Sequence, residues 1–320
     1  WVGGHLLAAV KERHREELLA ERDSLERDYG YRGLRFMDTP EVRDVLATER
    51  YVAGLYDANA GHMHVLNYTL GLAAAAQRAG ARIFESTRAV SFADGDASDG
   101  SPVTVKTMLA PDGRRAQDAG VVRCRHLVLC GNTSLGALAP ALSRKIMSVG
   151  TYMVATEPLG EARAQALIAN NMAVADMNWI IDYFRRSADH RLLLGGRVSY
   201  SGRLSAGATP ATRARMLGVF PQLADVGIDY AWGGYLDITL NRAPHFGRLS
   251  PRVYFFQGFS GHGVALTGLA GKLAAEAIAG TAERFDLFAR LRHHDFPGGP
   301  LLRRPALVLA MLYYRLRDLL

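Results

Sequence analysis

The stretch Val253-Tyr254-Phe255-Phe256-Gln257-Gly258-Phe259-Ser260-Gly261-His262-Gly263, running into Val264 to Ala279, decides how this chain is read. Four bulky apolar residues before Gln257 specify a buried strand, and the small-residue pattern after Gly263 specifies a helix. Between them, glycine at the first, fourth and sixth positions of the turn lets the backbone approach a ligand closely. The opening turn of the helix adds unpaired N–H groups and partial positive charge, which suit phosphate oxygens or the electron-rich edge of a ring. This is not the first, third and sixth spacing of the dinucleotide fingerprint. Val253 to Gly271 is also 19 residues without Asp, Glu, Lys or Arg, the length of a membrane span. Gln257, Ser260, His262 and five glycines within it favour a buried strand and helix around a ligand loop instead.

Outward from this segment, Asn67 to Ala79 is a helix ended by Gly80, with strands expected at Ala81–Glu85 and Val90–Phe92. Helix, glycine and strand in that order suit a parallel α/β sheet. Turns at Asp94-Gly95, Asp99-Gly100 and Pro111-Asp112-Gly113 bracket a strand at Val103–Leu109 and return the chain to an apolar run, Val121–Cys130, making an antiparallel excursion. From Met147 to Thr239 the pattern changes to β segments interrupted by helices near Glu161–Ala169 and Pro210–Phe220. Gly3-Gly4-His5-Leu6 is read as the entry to a charged helix through Asp28, with Leu6, Leu7, Val10, Leu18 and Leu25 as its stripe. The expected fold is α/β plus α+β: a discontinuous ligand-binding domain, 1–148 and 242–284, an antiparallel-sheet substrate domain, 149–241, and a helical tail, 285–320. Ala306 to Tyr314 is nine apolar residues, too short to cross a membrane. It reads as a docking helix flanked by Arg303, Arg304, Arg315 and Arg317, with peripheral membrane contact as the alternative.

A chain of 320 residues that is 49% apolar has ample core for two domains. Its net charge of +7 is spread along the whole length, and no basic run is interleaved with aromatics as on a nucleic-acid surface. On an extended strand Cys124 and Cys130 would stand about 20 Å apart, beyond disulfide reach. Free thiols and the lack of a signal peptide point to the cytoplasm. His62 and His64 have no third ligand at a sensible spacing, so no metal is expected. The chain opens at Trp1, in what reads as the middle of a protein.

Gly61-His62-Met63-His64, the Asn67–Ala79 helix, Glu85 to Val90, Leu127 to Asn132, Tyr183 with Arg191 to Gly196, Trp232-Gly233-Gly234 and Gly258 to Gly263 follow one another as in FAD-dependent amine and amino-acid oxidases. The chain resembles the superfamily of D-amino-acid, glycine and sarcosine oxidases. Its likeness to the gamma-glutamylputrescine oxidases runs nearly end to end, through Ala155–Leu159, Asp182–Arg185, Asp237–Thr239 and Phe296–Gly299. The resemblance implies an FAD-binding, Rossmann-like domain, here without the N-terminal strand–GxGxxG–helix–strand unit that holds the ADP half of FAD. Val65 is a second departure, because relatives commonly carry Pro there.

The resemblance implies that Val90 offers a backbone contact to adenine, that Gly131 and Asn132 end the strand beside the cofactor, and that Gly258, Phe259, Ser260, Gly261, His262, Gly263 and Val264 lie by the flavin ring. It places Tyr183 over the flavin face and Trp232 on the substrate wall. Asp237 is read as a partner for a substrate cation or for Arg242, and His262 as a catalytic group or a turn-filler. Glycine-oxidase-like relatives clamp the substrate carboxylate with an Arg where this chain has Leu236, and use a basic residue where it has Gly261. Their loss favours an amine whose carboxylate is remote. The expected reaction oxidises such an amine to an imine and then an aldehyde, with oxygen as the acceptor. A non-catalytic remnant that binds no FAD, and a dehydrogenase serving a quinone, remain as alternatives.

Overall fold

The computed structural model describes residues 1–96, 100–109, 117–199 and 208–299, and residues 302, 305, 308, 309, 313 and 316–318 of the C-terminal segment. Its strands are β1 (Val2–Ala9), β2 (Leu34–Met37), β3 (Ala53–His62), β4 (Thr87–Ala93), β5 (Val103–Leu109), β6 (Gln117–Cys124) and β7 (Leu127–Leu129). They continue with β8 (Met147–Thr156), β9 (Ala173–Asp176), β10 (Tyr183–Arg186), β11 (Leu192–Ser199), β12 (Ile228–Ile238), β13 (His245–Ser250) and β14 (Val253–Gln257). The helices are α1 (Glu12–Tyr29), α2 (Thr39–Val45), α3 (Val65–Arg78), α4 (Pro140–Ser143), α5 (Glu161–Leu167), α6 (Ala208–Val219), α7 (Gly263–Ile278) and α8 (Glu283–Ala289).

The chain divides into two compact units, Trp1–Tyr68 with Gly150–Gly234 and Leu307–Leu320, and Thr69–Val149 with Tyr235–Ala306. This differs from the boundaries read from sequence, because residues 1–68 supply strands to the sheet that also holds β8 to β12. That eight-stranded sheet runs β12-β8-β11-β10-β9-β1-β3-β2. One of its faces is closed: Leu6, Val174, Phe184 and Leu194 pack with Met216 and Val219 of α6 and Val42 of α2, all essentially inaccessible. Alternation then sends the intervening residues to the other face, where Leu18 of α1 packs with Ala9, Ala53 and Leu55 and is flanked by Leu34 and Phe36 of β2. Helix α2 starts at a capping box in which Asp38 and Glu41 exchange backbone bonds, and α1 stops at Gly30, whose φ of 65° ends the helix.

In the second unit β14 is the buried centre of a three-stranded sheet, antiparallel to β13 and parallel to β7. Its alternation divides two cores. Tyr254 and Phe256 meet Ala270, Leu273 and Ala277 of α7 and Phe285 of α8, while Val253 and Phe255 meet Leu129, Leu135 and Leu142. Each buried aromatic here contributes on the order of 2–3 kcal/mol through its loss of water contact. Strands β4, β5 and β6 form the antiparallel excursion as a separate sheet.

Three expectations are corrected. Leu6 and Leu7 lie on a strand, since β1 pairs antiparallel with β3 and parallel with β9, and the helix begins only at Glu12. Residues 81–85, expected as a strand, form none, and Ile83 and Phe84 are exposed, because no neighbour pairs with them. Val121–Cys130 is not continuous: β6 pairs with β5 and β7 with β14, so the chain changes sheets at Arg125-His126. Asp99, Pro111-Asp112-Gly113 and, in the tail, Arg303, Arg304 and Arg315 lie outside the described residues. Among the described residues no helix is long and apolar enough to cross a membrane.

Candidate active site

Strand β14 delivers the chain to Gly258, where φ is 74° and an added Cβ would stand 2.5 Å from Thr239 Cγ2. Ser260 and Gly261 also take positive φ, 52° and 97°. This unusual backbone is held from the end of β12. The buried Asp237 carboxylate accepts the Gly258 N–H at 2.5 Å, and the Asp237 carbonyl accepts the Ser260 N–H at 3.0 Å. The Ser260 hydroxyl donates to the Gly258 carbonyl at 3.2 Å and accepts the Thr239 N–H at 3.3 Å. Burial pushes the Asp237 carboxyl above the usual range, opposed by the Gly258, Asp237 and Phe259 amides. Among the described residues Asp237 makes no ion pair, so its partners are the turn amides and not the Arg242 guanidinium.

Beyond the turn, α7 begins at Gly263 with His262 at the N-cap and no side chain closing its first turn. The His262 N–H bonds the Phe259 carbonyl at 2.9 Å, and the residue is exposed. A cleft of about 480 Å³ opens in front of these amides. Val128 and Phe256 of the sheet, Cys130 just after β7, and Ala270, Gly271 and Ala274 of α7 form its apolar lining. Asn132, Leu236, Asp237, Phe259, Gly261, Gly263, Val264 and Thr267 form the rest. At Gly261 an added Cβ would meet nothing within 4 Å, so this glycine borders open space.

The expected cofactor residues therefore divide. Asn132, Phe259, Gly261, Gly263 and Val264 line the cleft, whereas Gly258 and Ser260 are buried and shape the turn. Gly131 precedes the 3-10 segment Asn132–Leu138, and a Cβ there would lie 2.8 Å from Leu135 Cδ2. Val90 sits in β4 where the register slips between Ala89 and Ser91, which leaves it outside the ladder. Tyr183 and Trp232 belong to the first unit. Trp232 is exposed on β12, and Tyr183 on β10 bonds the Thr151 side chain.

Sequence reasoning missed the polar support behind the turn. Gln257 Nε2 donates to the Leu142 carbonyl and to His245 Nδ1, both at 3.0 Å, and the His245 ring stacks on His293 with centroids 4.2 Å apart. Burial, with His293 and Lys145 adding to it, pushes His245 down to about 3. Gln257 and His245 lie opposite each other on paired strands, 12 residues apart in sequence, and only the β13–β14 register joins them.

The family model for FAD dependent oxidoreductases, DAO, matches residues 2–277. The chain belongs to this family. It is 39% identical over 322 residues to the probable oxidoreductase OrdL of Haemophilus influenzae, covering 99% of this chain and 70% of that protein. It is 38% identical over 316 residues to the gamma-glutamylputrescine oxidoreductase of Escherichia coli K12, covering 98% and 70%. Among solved structures, glycine oxidase from Geobacillus kaustophilus superposes with a TM-score of 0.75 at 20% identity, covering 92% of this chain and 76% of that one. FAD is the cofactor of the family.

The residues present fit the ring end of that cofactor. The cleft is apolar on its floor, as a flat ring system requires, and its rim presents the open first turn of α7 where negative charge on a ring edge is favoured. Phe259, Gly261, Gly263 and Val264 would hold it there. Bound, FAD supplies the two-electron acceptor that no side chain of this unit provides.

Proposed function

We propose that this oxidoreductase oxidises the terminal primary amine of a gamma-glutamylputrescine-like substrate to an imine, which hydrolyses to aldehyde and ammonia, with oxygen reduced to peroxide. The observation that carries this reading is Leu236. It lines the cleft at a position where the resemblance implies an arginine in glycine-oxidase-like relatives, and Gly261, also on the cleft, carries no cation either. A short α-amino acid would bring its carboxylate next to the reacting carbon and find no fork of donors for it. A long amine whose anionic group lies far from that carbon suits the apolar lining. The name of the Escherichia coli relative, a gamma-glutamylputrescine oxidoreductase, supports the same substrate class.

The chain's own residues would orient and shield more than transfer protons. Asp237 is committed to the turn amides, so its part is to fix the rim of the cleft. The α7 amides would stabilise negative charge gained on reduction. The test is purification of the chain with FAD, a flavin absorbance spectrum, and peroxide assays with gamma-glutamylputrescine and glycine. A yellow protein that makes peroxide from the first substrate and not from the second is expected. Preference for glycine would overturn the substrate reading, and artificial acceptors without peroxide would replace oxidase with dehydrogenase.

A further inference from the structure

We propose that the pocket between α5, the Asn171 corner and the β10–β11 turn is an accessory binding site for a free α-amino acid, with Arg186 receiving its carboxylate and Glu161 its ammonium group. The site lies wholly within the first compact unit and is independent of the reaction proposed above.

A cavity of about 250 Å³ is lined by Glu161 and Gln165 of α5, by Asn171, and by Arg186, Ser187 and His190. It is smaller than the roughly 300–1,000 Å³ of sites that enclose drug-sized ligands, which selects a small molecule. Glu161 and Gln165 are four residues apart, so one face of the helix carries both into the wall. Arg186 ends β10 on the same face as Phe184, and Phe184 belongs to the core that also takes Leu167 at the end of α5. Asn171 then holds the guanidinium: Arg186 Nε donates to Asn171 Oδ1 at 3.2 Å. The Asn171 backbone is left-handed, with φ of 56°, a conformation that asparagine tolerates. His190 is left-handed as well, with φ of 62°. Its N–H donates to the Ser187 carbonyl at 3.1 Å, and its carbonyl accepts the Leu159 N–H at 3.0 Å. Both residues that frame the turn side of the pocket thus stand on anchored backbone.

The hydrogen-bonding capacity that the pocket leaves unused points to the ligand. Among the described residues the Glu161 carboxylate, the Gln165 amide and the His190 ring have no hydrogen-bond partner, and the Arg186 side chain uses only Nε. The two NH₂ groups of Arg186 remain, a planar fork that matches both oxygens of a carboxylate. Burial lowers the Arg186 pKa and the Glu161 charge opposes this, so the two groups sense each other, yet they do not close into an ion pair. A cation and an anion that share a cavity without meeting across it form a dipolar receptor. A zwitterion compensates both charges there, whereas a simple anion or a simple cation leaves one of them unanswered. An α-amino acid carries its carboxylate and its ammonium group on a single carbon, compact enough for a cavity of this size. Gln165 and His190 offer donors and acceptors to a polar side chain, which favours an amino acid such as glutamine over an apolar one.

The test uses the full chain with FAD added and isothermal titration calorimetry with three probes. These are L-glutamine, 4-carbamoylbutanoate, which lacks its ammonium group, and 4-aminobutanamide, which lacks its carboxylate. Wild type is expected to bind L-glutamine about 10-fold more tightly than either analogue. Arg186→Met should weaken L-glutamine and 4-carbamoylbutanoate by about 10-fold and leave 4-aminobutanamide unchanged. Glu161→Gln should weaken L-glutamine and 4-aminobutanamide and leave 4-carbamoylbutanoate unchanged. Both side chains reach solvent, so the fold is expected to survive each change, and Arg186→Lys should recover part of the L-glutamine binding. No binding of L-glutamine by wild type, equal binding of the three probes, or losses that do not follow the charge removed overturn the proposal. L-glutamine binding that both variants leave intact also overturns it, because the amino acid then sits elsewhere, the flavin cleft included. The amine-oxidase reading stands or falls on its own peroxide assay, whichever of these results is found.

Discussion

The carboxylate of Asp237 accepts the backbone N–H of Gly258 across 21 residues of sequence, inside a layer closed to solvent. The end of β12 thereby fixes the turn that borders the cleft, and the side chain most suggestive of acid–base chemistry is committed to backbone geometry. The same bond joins local conformation to function, because Gly258 opens the turn whose later amides face the ligand space.

Asp237→Ala should therefore destabilise the protein by about 2–3 kcal/mol, since it strands a buried N–H. Asp237→Asn keeps an acceptor oxygen for Gly258 and should cost about 1 kcal/mol or less at neutral pH. Urea unfolding of the two variants measures the difference. Equal losses would mean that charge, and not the bond to Gly258, matters at this position.

A second prediction concerns His245, neutral and buried beside Gln257. Its folded pKa of about 3 lies below the ordinary histidine value, so the unfolded chain binds the extra proton. Stability is complete above pH 6.5 and declines as the pH falls from there toward 3. At roughly 1.4 kcal/mol per pH unit the loss approaches about 5 kcal/mol as an upper bound. His245→Gln should flatten this slope, and denaturant midpoints at pH 7 and pH 4.5 will read it.

Asp176 gives the opposite sign. It is buried beside Asp182, with Arg50 3.9 Å away, and burial followed by the Asp182 charge raises it to about 7. The native state here holds more protons than the unfolded chain, so this contribution is complete below the ordinary carboxylate pKa and is lost as the pH rises toward 7. Asp176→Asn should match wild type near pH 4 and exceed it by a few kcal/mol at pH 8. Its Oδ1 contacts, from the Asp182 N–H at 3.0 Å and the Asn178 N–H at 3.2 Å, survive the change. Unfolding at the two pH values decides it, and a variant less stable than wild type at pH 8 would contradict the assignment.

The strand–turn–helix at 253–278 is legible in the sequence because its signals are local: an uncharged aromatic run, glycines at required positions and a small-residue helix. Helices α3, α5 and α6 are legible for the same reason. Strand β1 is not, since Leu6 and Leu7 match a helical stripe as well as they match alternation, and only pairing with β3 and β9 decides between them. The expected strand at Ala81–Glu85 fails in the converse way, with suitable residues and no partner. Within the site, the cleft-lining glycines were readable, but the roles of Asp237, Gln257 and His245 depend on contacts that no spacing encodes.

Gly258 and Gly261 separate the two demands on the ligand turn, folding and binding. At Gly258 the φ of 74° and the 2.5 Å approach to Thr239 Cγ2 leave no room for a methyl group, so Gly258→Ala should cost about 2–4 kcal/mol and lower expression. At Gly261 the φ of 97° still penalises alanine by about 1 kcal/mol, but nothing lies within 4 Å of the added methyl. That methyl enters the cleft where the flavin ring is expected. Gly261→Ala should therefore unfold close to wild type and yet retain markedly less FAD after gel filtration, measured as the ratio of absorbance at 450 to 280 nm. If Gly261→Ala keeps its full flavin complement, the ring does not approach this edge of the turn, and the cleft serves another part of the ligand.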